Sequence, residues 1–296
     1  SLVAWFDPSY GVYSNSAAKF VAASSQKLTS SATFDPNQDF TVSLWLNAAS
    51  LPSNEGVFNI GTSTNDVLMH VGGAGGVTIY RGGVSNTVAT GIGKVVVGTW
   101  ANWTITYVAS SGLTTIYKNG SSEASGTNTT TPTAKTLVIG FGNTTPCDGS
   151  IDSFGFWQRV LTGAEITAQY NAGVGKSYSD LTTAEKVSLV AWYDFATTAS
   201  LGTDASGNAR TLTNTNSVTC DAGIVAGQCA VDDPVYRWYA KNNAAIYAEQ
   251  ATLARRPIYD GTYVTGDGAN DIIVVPQFQM TSAMTGNCTV VAVVKR

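Results

Sequence analysis

Phe40-Thr41-Val42-Ser43-Leu44-Trp45-Leu46 places Phe40, Val42, Leu44 and Leu46 at every second position, so all four share one face of a strand. Working outward, Trp103-Thr104-Ile105-Thr106-Tyr107-Val108 repeats the pattern, with Trp103, Ile105 and Tyr107 on one side. Leu113-Thr114-Thr115-Ile116-Tyr117-Lys118 runs into Asn119-Gly120, a pair that accepts positive φ and so predicts a tight hairpin. Leu137-Val138-Ile139-Gly140-Phe141 and Ile151-Asp152-Ser153-Phe154-Gly155-Phe156-Trp157 supply two more strands. Short alternating strands broken by Gly, Ser and Asn predict an all-β sandwich or jelly roll.

One helix interrupts this pattern. Gly163-Ala164-Glu165-Ile166-Thr167-Ala168-Gln169-Tyr170 follows Thr162, which pairs with Glu165 as a capping box, and Asn171 and Gly173 end it. Thr182 and Glu185 form a second such box. The polar, Gly-containing stretch from Ala172 to Leu181 marks the end of a first unit, residues 1–180, with a linker at 181–187.

Beyond it the chain restarts. Ser1-Leu2-Val3-Ala4-Trp5-Phe6-Asp7 returns as Ser188-Leu189-Val190-Ala191-Trp192-Tyr193-Asp194, a period of 187 residues. Solenoid repeats span roughly 20 to 50 residues, so this period marks tandem domains. Asp39–Asn47 also aligns without gaps to Asn287–Lys295, one residue before the chain ends. Residues 188–296 therefore read as a second, truncated or interrupted unit, and the sequence as a piece of a longer protein. Trp192 to Val290 is about sixty residues longer than Trp5 to Val42. Residues 233–296 are either an insertion or the start of a third unit near Val235-Tyr236-Arg237-Trp238.

Composition narrows the class. Hydrophobic residues make up 44% and charged residues 12% of the 296, so solubility rests on Ser, Thr, Asn and Gly, as in many secreted and surface-exposed β proteins. A net charge of -4 without any Lys/Arg run argues against nucleic acid and anionic membranes as partners. No apolar run approaches the roughly 20 residues of a membrane span, and the N-terminus shows no signal-peptide pattern. Of four cysteines, Cys220 and Cys229 bracket a short loop and are either a local bridge or two thiols.

These residues together resemble the laminin G-like family of concanavalin A-like jelly rolls. The likeness covers residues 1 to about 180. It is most specific at Asp148-Gly149-Ser150-Ile151-Asp152-Ser153-Phe154, Arg159-Val160-Leu161-Thr162, Ala164-Glu165-Ile166 and Tyr170, with Tyr117-Lys118-Asn119-Gly120 as the hairpin. In the second half Asp204-Ala205-Ser206-Gly207-Asn208 and Gly266-Asp267-Gly268-Ala269-Asn270-Asp271 are similar to family loops. The resemblance implies a laminin G-like jelly-roll β-sandwich followed by an incomplete relative. It further implies a non-enzymatic module for adhesion or glycan recognition, extracellular or on a cell or virion surface, with a glycan or surface protein as partner. The alternative is a structural or decoration component packed against neighbouring subunits of a large assembly.

The same fold hosts glycoside hydrolases, which need two carboxylates about 5 to 9 Å apart. None of the five glutamates has a Glu or Asp two or four residues away, as a catalytic strand would need, and no catalytic residue is assigned. His70, the only histidine, reads as a plain strand residue. For sugar contact Trp100, Trp103, Tyr80 and Arg81 are candidates near strand ends, whereas Trp5, Trp45, Trp157 and Trp192 lie in apolar patterns and read as core. Calcium is the one candidate cofactor. Asp204 and Asn208 suit an oxygen-rich loop, and the resemblance places Asp152 as a supporting carboxylate. Asp204 and Asn208 equally suit a plain turn.

Overall fold

The computed structural model describes residues 12–52, 54–61, 66–83, 87–133 and 135–228, with short stretches at 233–234, 237–240, 243–249, 258–259 and 264–265. In chain order the strands are β1 (Val12–Phe20), β2 (Lys27–Phe34), β3 (Phe40–Ala48), β4 (Glu55–Ile60), β5 (Val67–Val71), β6 (Val77–Arg81), β7 (Thr87–Ala89) and β8 (Ala101–Val108). There follow β9 (Leu113–Lys118), β10 (Ser121–Thr127), β11 (Lys135–Ile139), β12 (Phe141–Gly142), β13 (Thr145–Pro146) and β14 (Gly149–Trp157). After the helix α1 (Gly163–Tyr170) come β15 (Leu189–Tyr193), β16 (Leu212–Thr215) and β17 (Thr219–Gln228).

Two antiparallel sheets face each other across one core. The larger runs β10-β9-β8-β3-β14-β1, with β15 also on β14 and β17 also on β1; the smaller runs β16-β2-β11-β4-β5-β6-β7. Phe40, Val42, Leu44 and Leu46 of β3 point inward as their spacing requires, and meet Trp103, Ile105 and Tyr107 of β8 and Phe58, Ile60 and Met69 of the opposite sheet. Phe40 stacks on Phe156 at 5.7 Å, and Phe58 meets Phe154 edge to face at the same separation. Aromatic rings in these geometries add to the stabilisation from their burial.

The other face of β3 is buried too, because the 157–187 stretch folds over it. Trp45 stacks on Tyr170 of α1, and the Thr41 hydroxyl donates to the Arg159 carbonyl at 2.8 Å. Trp157, Leu161, Ile166, Leu181, Leu189 and Trp192 form a second, smaller core there. The capping box predicted for α1 is present: Glu165 N–H donates to Thr162 Oγ1 and Thr162 N–H to Glu165 Oε2. Arg159 grips both Glu165 oxygens, at 2.9 and 2.6 Å, which holds that carboxyl down at about 2. The Asn119-Gly120 hairpin also forms as read, both residues with positive φ (50° and 80°) between β9 and β10.

The domain division departs from the sequence reading. Among the described residues no break separates 12–180 from 189–228: β15 pairs with β14, β16 with the outer edge of β2, and β17 with β1. Residues 189–228 are thus built into the first sandwich instead of opening a second. The expected linker at 181–187 is likewise packed down, since Glu185 accepts Lys176 Nζ at 2.6 Å and the Glu185 carbonyl accepts Trp157 Nε1 at 2.7 Å. Local sequence could not show this, because a strand's residues do not name the sheet edge it joins. Farther on, Arg237–Ala240 pairs with Asn243–Glu249 and with Val12 and Tyr13 of β1. The turn at Gly266–Asp271, the repeat at Asn287–Lys295 and Cys229 and Cys288 lie outside the described residues.

Candidate ligand-binding face

The outer face of the smaller sheet is set by the strand register. Val138, Asn59, Leu68, Tyr80 and Thr87 form one cross-strand row, and Gly56, His70, Thr78 and Ala89 the next. The intervening residues, among them Phe58, Ile60, Met69, Val71, Val77 and Ile79, fill the core. His70 and Tyr80 therefore stand side by side, edge to face, with ring centroids 5.6 Å apart. Tyr80 is half-buried and His70 nearly covered. Desolvation lowers the His70 pKa, partly offset by a hydrogen bond to the Asn54 backbone, so the imidazole is neutral at physiological pH with its N–H already engaged.

Asn59 is the unusual member of this face. Only 1% of it is exposed, and neither its Nδ2 nor its Oδ1 has a hydrogen-bond partner. Leaving such a group unsatisfied costs about 1–3 kcal/mol, so each instance calls for an explanation. One side of the face is walled by the short β12–β13 hairpin. It lies so close that a Cβ on Gly56 would come within 2.1 Å of the Gly142 nitrogen, and one on Gly142 within 2.2 Å of Leu68 Cδ1. Glycine at both places lets backbone touch backbone.

The four residues expected to contact sugar do not share a site. Tyr80 lies on this outer face, but Arg81, its strand neighbour, necessarily points the other way. Arg81 is 3% exposed, its guanidinium stacked 3.7 Å over the Tyr107 ring inside the sandwich. Burial lowers its pKa, and Nε and Nη1 have no partner while Nη2 reaches Asn37 Oδ1 at 3.4 Å. Trp103 is 0% exposed within the core, which removes it as a surface platform. Its alternation with Ile105 and Tyr107 already carried that information. Trp100 is half-buried in the loop before β8, at the opposite end of the sandwich from Arg81, beside exposed Val96 and Val97. Trp45, Trp157 and Trp192 are core residues as read. Asn59 was missed; its only sequence signal is a lone amide within Val57-Phe58-Asn59-Ile60.

The three residues considered for calcium are engaged with protein groups. Asp204 Oδ1 accepts Trp192 N–H at 3.1 Å, Ser206 N–H at 3.0 Å and Ser206 Oγ at 2.6 Å, and Oδ2 accepts Arg210 N–H at 3.0 Å. Asn208 Nδ2 donates to the carbonyls of Leu189 and Val190 at 3.0 and 3.2 Å. Asp152 is buried, Oδ2 accepting the N–H groups of Ile224 and Val225 at 2.9 and 2.8 Å. Burial pushes its carboxyl up to about 8. Asp204 thus acts as a turn acceptor, the donor set does not fit a cation, and among the described residues no three His, Cys, Asp or Glu side chains cluster to hold one. Asp194, whose charge also acts on Asp152, is raised to about 6 by desolvation and held by Trp192 Nε1 at 2.6 Å and Tyr178 N–H at 3.0 Å.

Comparison with known proteins agrees with this architecture. A Bacteroides ovatus protein assigned to carbohydrate binding superposes with a TM-score of 0.53 at 15% identity, covering 72% of this chain and 61% of that one. The heptameric SAP-like pentraxin of Limulus polyphemus gives 0.52 at 16% identity, over 71% and 95% of the two chains. At these identities the likeness is one of fold. No curated protein matches the chain in sequence. Among the described residues no helix is long and apolar enough to cross a membrane. Residues 21–167, around which the jelly-roll sandwich is built, match the profile of the Concanavalin A-like lectin/glucanases superfamily.

Proposed function

We propose that this sandwich is a non-catalytic glycan-recognition module whose ligand lies on the outer face of the smaller sheet. The observation that carries the reading is Tyr80, a half-buried ring on the outer face beside His70, with Asn59, whose amide has both polar atoms unpaired, covered in the same row. A sugar ring offers what these groups lack: hydroxyls that both donate and accept, and an apolar C–H face for an aromatic ring. The Bacteroides protein of the same fold, itself assigned to carbohydrate binding, supports the choice of ligand. Such a module works outside the cell, on a cell or particle surface. A glycan array tests this. Binding to a defined set of glycans, reduced at least about tenfold by Tyr80→Ala or Asn59→Ala at a cost of about 1.4 kcal/mol or more, is expected. Absence of any bound glycan, or binding untouched by both substitutions, rejects the site.

A further inference from the structure

The two heptads, Ser1–Asp7 and Ser188–Asp194, differ at one position of seven, Phe6 against Tyr193. In the structure the second copy fills one place: β15 lies on β14 with Tyr193 opposite Phe154, Trp192 opposite Gly155, Ala191 opposite Phe156 and Leu189 opposite Trp157. That place makes specific demands. Ala191 and Tyr193 are fully buried in the main core. Trp192 packs on Gly155, where a Cβ would come within 2.7 Å of the indole, and meets Trp157 edge to face at 5.7 Å. Its Nε1 donates to Asp194, two residues on. Ala4, Trp5, Phe6 and Asp7 carry the same chemistry at the same spacing.

The surroundings distinguish the copies at one point. Asp204 and Asn208 hold β15 through its main chain alone, by the Trp192 N–H and the Leu189 and Val190 carbonyls. One bond is particular to the second copy, from the Tyr193 hydroxyl to the Arg210 carbonyl at 2.6 Å. The first copy lies outside the described residues, and the length of its tether to β1 bears on whether it can reach the same place. β1 and β15 run in the same direction along the same flank of β14, β1 beside Gly149–Ile151 and β15 beside Phe154–Trp157. Between Phe6 and Ala18 lie eleven residues, enough at about 3.3 Å each to cross from one stretch to the other.

We propose that the flank of β14 from Phe154 to Trp157 is a strand-accepting site for this heptad, and that its second occupant is Ser1–Asp7 of the same chain. When Ser1–Asp7 takes the site, Ser188–Asp194 is released, free to enter the same site on another copy of the chain.

Redundancy is the signature to test, in the full chain, with Ala4→Asp, Ala191→Asp and the double variant. An unpaired carboxylate cannot enter the core at the Ala191 position, so each variant disables one copy. Each single variant is expected to lower the melting temperature by less than about 4 °C, and the double by more than about 8 °C. Either single variant as damaging as the double, or a double no worse than the singles, overturns the proposal. Should the double variant fail to fold, it is refolded with excess Ser-Leu-Val-Ala-Trp-Phe-Asp peptide. Recovery of soluble, peptide-bound protein supports the site, and no recovery counts against it. These readouts are of stability, so they stand or fall apart from the glycan reading.

Discussion

Asp152 shows how a single residue can carry a pH dependence. Its carboxyl titrates near 8 in the folded chain and near 3.8 when exposed, because burial disfavours the charge more than the N–H groups of Ile224 and Val225 favour it. The folded state therefore holds a proton that the unfolded state releases, and stability falls as pH rises from about 4 to 8. Asp194, raised to about 6, adds to the same slope up to that pH. Calorimetric melting should give a higher midpoint at pH 5 than at pH 8. Asp152→Asn, whose carbonyl can still accept both N–H groups, should flatten most of that fall above pH 6. At the same scale, Tyr80 was legible as a candidate because an aromatic near a strand end can reach the surface, and it stands half-buried on the outer face. Asn59 was not, since only the cross-strand register places it beside His70 and Tyr80. Arg81 is the instructive failure: nearness to a strand end made it a candidate too, and the two-residue period of a strand turns it to the face opposite Tyr80, where it is buried.

Among the elements, the β12–β13 hairpin is held against β4 by two glycines with no room for a methyl group. Gly142→Ala would drive Cβ into Leu68 and the Gly56 backbone. Overpacking of this kind costs typically 1–3 kcal/mol, so denaturant titration should show a loss of about that size. A loss below about 0.5 kcal/mol would mean that the hairpin yields. The strands β3, β8, β9 and β14 and the helix α1 were legible to within a few residues because each carries its own period or cap. The edge strands β15 and β16 were not placed by the same reasoning. Leu189–Tyr193 looks like any apolar strand, and Leu212-Thr213-Asn214-Thr215 like a polar loop, until β14 and β2 supply their partners.

For the whole molecule, the absence of a loose joint near residue 184 makes a direct expectation. Lys176 and Lys186 would be cut first by trypsin if 181–187 were an exposed linker. Instead Lys176 is paired with Glu185, and Lys186 lies over the Tyr178 ring at 4.1 Å. Limited proteolysis under native conditions should leave both bonds intact while other sites are cleaved. Early scission at either would restore the linker read at 181–187.

The pairing of β2 with β16 and of β1 with β17 also governs when this protein can finish folding. Leu28 bonds beside Asn214 and Lys19 beside Thr219, partners about 200 residues downstream. During synthesis at about 5–20 residues per second, these edges wait on the order of 10–40 s before their partners are made. Until then the nascent sandwich exposes two strand edges open to any passing chain, and its ribosomal history, as much as its final stability, decides how much reaches the native state.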